Sequence, residues 1–79
     1  YPNPFNPSAT ISFDIPDVSS VALNVYDVKG ALVETLLQDH MKPGKHHYNW
    51  EPQGLSSGVY FMKLTTANQT FTQKVTYIK

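Results

Sequence analysis

One run of residues, Gly54-Leu55-Ser56-Ser57-Gly58-Val59-Tyr60-Phe61-Met62-Lys63-Leu64, constrains the fold more than any other part of the chain. Its first half is a Gly/Ser turn. Its second half opens on Val-Tyr-Phe, the strongest strand-forming succession present, suited to a pleated surface packed on at least one face. Gly58 stands directly before that succession, where a residue without a Cβ lets the backbone turn tightly into the strand. The expectation is a central strand with an obligatory tight start, around which two layers of sheet are built. Nothing in the run carries catalytic chemistry.

The rest of the chain repeats the same period of two. Ala9, Ile11, Phe13 and Ile15 alternate with Thr10, Ser12 and Asp14 until Pro16-Asp17. Val21, Leu23 and Val25 do so against Ala22, Asn24 and Tyr26, which is the signature of a half-buried strand. Asp27-Val28-Lys29-Gly30 reads as a type I turn with Gly30 in the left-handed position, a common hairpin connection. Leu32, Val33, Leu36 and Leu37 recur at helical spacing, but a strand with a bulge accounts for the same residues and fits the preceding hairpin turn. A strand is therefore expected there. After the turn Lys42-Pro43-Gly44, His46, Tyr48 and Trp50 share one face, and Phe71, Val75 and Tyr77 share one face of a last strand, with Ile78 on the other. Six strands, with a seventh short edge strand as an option, at spacings of about 8–12 residues read as a β-sandwich rather than an α/β fold.

Size and composition narrow the function. A chain of 79 residues is one domain and must build a compact core without any cysteine to staple it. Six lysines balance six acidic residues and there is no arginine, a poor composition for neutralising phosphates, so nucleic acid is not expected as a partner. No apolar run approaches the roughly 20 residues of a membrane-spanning helix, and no membrane insertion is expected. No basic and apolar leader opens the chain. The start at Tyr1-Pro2 suggests a domain cut from a longer protein. Residues 1–8, with three prolines, read as an extended lead-in that Tyr1 or Phe5 could anchor to the domain's edge. A plain interdomain linker is the competing reading. Residues 9–79 form the folded domain.

Candidate chemistry is sparse. His46 should face inward and His47 outward, since neighbouring strand residues point to opposite faces, so the pair cannot ligate one metal. No cofactor is expected. The six carboxylates show no paired spacing, and Asp27 is expected to cap its own turn. A loop calcium site on Asp27 or Asp17 is the weaker reading. Ser56 and Ser57 precede a strand, unlike the nucleophile elbow that opens a helix. No enzymatic activity is expected. Tyr48, Trp50, Tyr60 and Phe61 could stack on a sugar, although in a domain this small such aromatics belong to the core. The expected core comprises Ile11, Phe13, Leu23, Val25, Tyr48, Trp50, Val59, Phe61 and Val75.

Several motifs in order carry a family resemblance. The opening Tyr1-Pro2-Asn3-Pro4-Phe5-Asn6-Pro7-Ser8-Ala9-Thr10-Ile11, the turn Asp27-Val28-Lys29-Gly30, the block from Trp50 through Gly54–Leu64, and the closing Lys74 to Lys79 resemble type A C-terminal sorting domains of the type IX secretion system. The resemblance spans the chain. The pattern is also similar to the C-terminal domain of the flagellar hook-capping scaffold protein, but the proline-rich start favours the sorting family. Trp50 is followed by Glu51 where the family usually has Asp, and Lys63 stands where Arg is common; both keep the charge.

The resemblance implies an immunoglobulin-like antiparallel sandwich of six to seven strands. It sits at the end of a cargo protein, is recognised by the type IX translocon after passage through the periplasm, and is removed by a sortase-like peptidase. The cargo is then released or attached to the cell surface. Gly58, Tyr60, Lys74 and Lys79 are the expected recognition residues, and the last strand, as a terminal edge, could pair with a receptor by β-augmentation. A carbohydrate-binding or adhesion module, or a structural spacer of an extracellular protein, is the alternative; exposure of Trp50 and Tyr48 in a row would favour the former.

Overall fold

The computed structural model describes residues 9–78; the lead-in 1–8 and Lys79 lie outside the described residues. Six strands follow one another: β1 (Ala9–Ile15), β2 (Ser19–Tyr26), β3 (Leu32–Met41), β4 (Gly44–Trp50), β5 (Gly58–Thr65) and β6 (Thr70–Tyr77). They form two sheets, a pair β1-β4 and a four-stranded sheet in the order β3-β2-β5-β6, with every pairing antiparallel. Packed face to face, the sheets make the expected β-sandwich. The order corresponds to the B–E pair and the C′-C-F-G sheet of an immunoglobulin domain. Counterparts of that fold's A and D strands are absent among the described residues.

Each strand follows from local chemistry. In β2, Val21, Leu23 and Val25 are wholly buried while the residues between them are not. The hairpin turn forms as its sequence predicts. The Asp27 carboxylate accepts hydrogen bonds from the amides of Lys29 and Ala31, at 2.9 and 3.0 Å. Gly30 sits at φ 85°, where only a residue without a Cβ is unstrained. The segment with helical spacing is indeed a strand. Its pairing with β2 slips twice, passing over Leu36 and Val33. Each bulge puts one extra residue into β3, and together they turn consecutive apolar residues inward, so the period breaks although the strand does not.

The core gathers Ile11 and Ile15 from β1, Val21, Leu23 and Val25 from β2, Trp50 from β4, and Tyr60, Met62, Leu64 and Tyr77 from the last two strands. Phe13, Tyr48 and Val75 pack against it partly buried, as expected. Two expected members do not belong. Val59 and Phe61 are half-buried on the opposite face of β5 from Tyr60, Met62 and Leu64. Lys63 shares their phase, and an ammonium stays in water unless it is paired, so the face bearing Lys63 turns outward.

A second correction concerns Gly58. Its φ is not positive, and a Cβ added there would meet nothing within 4 Å. The tight start expected at this position is absent; the left-handed glycine of the loop is Gly54, at φ 76°. Phe71 lies on the same side of β6 as Val75 and Tyr77, as expected, opposite Leu64, and is 52 % exposed there. The two described strands of the smaller sheet do not cover that end of β6. An open cleft of about 590 Å³ lies there between β1 and β6, floored by Leu23, Met62 and Leu64.

Candidate recognition surface

The four residues expected to carry recognition fall into different environments. Tyr60 is buried, 8 % exposed, and its hydroxyl donates to the Ser56 carbonyl at 2.7 Å. A tyrosine at the start of the second strand of an inter-sheet corner, bonded back to backbone four residues earlier, has the geometry of the tyrosine corner of immunoglobulin-like domains. The bond pins the loop Gly54–Ser57 to the sandwich. The ring then stands edge-on to Trp50, at a centroid distance of 6.2 Å, and to Tyr77, at 6.4 Å. Both the hydroxyl and the ring of Tyr60 are thus engaged within the fold. The Gly-Leu-Ser-Ser-Gly-Val-Tyr block is thus, in its tyrosine, a device for closing the sandwich.

Trp50 is 2 % exposed, and its indole N–H donates to Glu34 at 3.3 Å, tying β4 of one sheet to β3 of the other. Tyr48 and Trp50 therefore form no exposed row for a sugar. Lys74, by contrast, is exposed in the middle of β6. β6 is the outer strand of its sheet, so among the described residues the backbone groups on its far side have no strand partner. Every residue from Thr70 to Lys74 is exposed. Tyr77 holds the other end of the strand in the core. Lys79 lies outside the described residues.

The histidines divide as expected. His46 is half-buried, stacked on Phe13 at 5.6 Å, with Nε2 2.7 Å from the Lys42 carbonyl; that nitrogen therefore carries the proton and donates. His47 faces solvent, its Nδ1 2.9 Å from the Ser12 hydroxyl. Among the described residues no group of three or more His, Asp or Glu is placed to hold a metal ion.

The register across the four-stranded sheet shows a surface that the sequence did not reveal. Leu32 stands opposite Tyr26, Tyr26 opposite Phe61, and Phe61 opposite Lys74, so one row runs across all four strands on the solvent side. Three strand spacings make it about 14 Å long. Its members come from the hairpin, the Val-Tyr-Phe block and the closing strand. Two of the segments that carried the resemblance, the Gly54–Leu64 block and the closing strand, thus meet on one face beside the residues that flank the Asp27–Gly30 turn.

A family model described as "Secretion system C-terminal sorting domain" matches residues 1–79. The chain belongs to this family. It is a type IX C-terminal sorting domain, the signal by which a cargo protein is sorted for secretion, and the protein that carries it is exported to be released or held at the cell surface. Comparison with curated proteins and with solved structures returned no match. The sorting domain's β-sandwich therefore rests on its own strand order and register. Within it, Trp50, Tyr60 and Tyr77 build the scaffold, while the first half of β6 is exposed and the row from Leu32 to Lys74 faces solvent.

Proposed function

We propose that the domain acts as a folded, non-catalytic address label read by the outer-membrane translocon from the periplasmic side, through the free edge of β6 and the Lys74 ammonium. The observation that carries this reading is the position of β6. It is the last of the six described strands, it lies at the edge of the described sheet, and its first half is exposed on both faces while Tyr77 anchors its other end. Such a strand is held straight by the sandwich and still has backbone donors and acceptors to offer an incoming strand. After translocation a sortase-like peptidase separates the label from the cargo domain that precedes it. Lys79 acts with Lys74 as the terminal basic group, and Gly58 serves by starting β5 beside Tyr77, its register partner. Tyr60 contributes through the fold.

A signal peptide, a soluble reporter and this domain, fused in that order and expressed in a Gram-negative host with a type IX system, test the reading. The reporter should appear outside the outer membrane, and deletion of residues 74–79 should leave it in the periplasm. Lys74→Ala with Lys79→Ala separates recognition from folding. Export of the double variant at the wild-type level would remove both lysines from the signal, and export of the truncated fusion would place the signal elsewhere.

A further inference from the structure

The solvent face of the four-stranded sheet is segregated in charge and in apolarity. Its outward positions are Leu32, Thr35, Gln38 and His40 on β3, the even-numbered residues Ser20–Tyr26 on β2, Val59, Phe61, Lys63 and Thr65 on β5, and the even-numbered residues Thr70–Thr76 on β6. Lys63 and Lys74 are the only residues among them with a fixed charge, and none is acidic. The two carboxylates of β3 avoid this face, since Glu34 and Asp39 stand opposite the buried Val25 and Val21. The Asp27 carboxylate at the end of the sheet is occupied in its turn. A chain with no formal net charge thus presents one face carrying only cations.

Phe61 is the centre of that face. Lys74 lies directly across the strand from it and Lys63 two residues along, both exposed. Tyr26 flanks it on the other side, and Leu32, at 57 % exposed, ends the row. Two half-buried aromatic rings with an ammonium on each of two sides of Phe61 make an apolar centre flanked by cations on β5 and β6, an arrangement closer to an interface than to a solvated sheet face.

We propose that this face, with Phe61 flanked by Lys63 and Lys74, docks on an acidic protein surface of the secretion machinery. The proposal rests on the sorting function and adds to the β6 edge a broad contact with its own chemistry. The partner's apolar recess receives Tyr26 and Phe61, and its carboxylates pair with the two ammonium groups. Complementary charge steers the encounter and fixes orientation, while the rings supply the affinity.

The reporter fusion in a type IX-competent host provides the test, with melting and Trp50 fluorescence confirming that each variant is folded. Lys63→Glu with Lys74→Glu should lower export about tenfold or more, whereas Lys63→Arg with Lys74→Arg should preserve it. Tyr26→Thr with Phe61→Thr should lower export by a similar factor. Ser12→Ala with Asn49→Ser, on the solvent face of the other sheet, should export as wild type. Export of the glutamate variant at the wild-type level overturns the proposal, and so does equal loss in the arginine variant, which would make shape rather than charge the cause. Protein-free vesicles of lipopolysaccharide form the second arm. Binding of the wild-type domain to them, lost in the glutamate variant, would assign the face to glycolipid phosphate and overturn a protein partner; absence of binding supports it. Failure of the wild-type fusion itself to leave a competent cell would overturn the sorting reading and this proposal together, an outcome distinct from failure of the variants alone.

Discussion

At the residue scale, each aromatic does the work its neighbours allow. Tyr60 is held by both ring contacts and its hydroxyl bond to Ser56, so Tyr60→Phe isolates the bond. Its loss should cost about 1 kcal/mol and lower the melting temperature by roughly 4–8 °C, read by thermal denaturation. Trp50→Ala removes a buried indole that joins the two sheets and should cost about 3–5 kcal/mol, enough to unfold a domain of this size. Two glycines make a sharper contrast. Gly30 occupies the left-handed region and Gly58 does not. Gly30→Ala should therefore destabilise by about 1–2 kcal/mol. Gly58→Ala should be neutral, or stabilising by up to about 1 kcal/mol through reduced freedom of the unfolded chain. Chemical denaturation of the pair measures the order, and a reversed order would contradict the backbone described for both sites.

At the scale of the element, β6 divides into two halves with different tasks. Its first half is exposed and its last residue is buried against Tyr60. Lys74→Ala should stay within about 0.5 kcal/mol of wild-type stability, because the side chain is solvated. Tyr77→Ala should cost about 3–5 kcal/mol, because it takes an aromatic out of the core. Truncation of the final residues therefore confounds recognition with folding, and the lysine variants are the cleaner probe. If Tyr77→Ala melts like wild type, the anchoring role is wrong. β3 shows a different logic: as the opposite edge of the sheet, its two bulges strengthen its twist and make it a poor template for a further strand. The sheet's two edges are thus unequal, and among the described residues β6 is the regular, unbulged one.

At the scale of the whole molecule, the two sheets share one core and are joined through Trp50 and Glu34. Unfolding should be a single transition, with Trp50 fluorescence and far-ultraviolet circular dichroism losing signal together. Separate transitions would mean that the β1-β4 pair detaches first. The alternation of Val21, Leu23 and Val25, the turn at Asp27–Gly30 and the spacing of the six strands were all legible in the sequence, because local sterics and the period of the pleat decide them. Sequence motifs also identified the family, since their order along the chain survives without any coordinates. The tertiary structure alone decided the rest. Which phase of β5 turned inward depended on its register against β2, so Val59 and Phe61 exchanged places with Tyr60, Met62 and Leu64, although Lys63 marked the solvent phase. Whether Phe71 was covered depended on how many strands the opposing sheet supplied. The convergence of Leu32, Tyr26, Phe61 and Lys74 in one row follows from pairings between strands far apart in sequence. No local pattern encodes those pairings, because they are settled only when the sheets close over a common core.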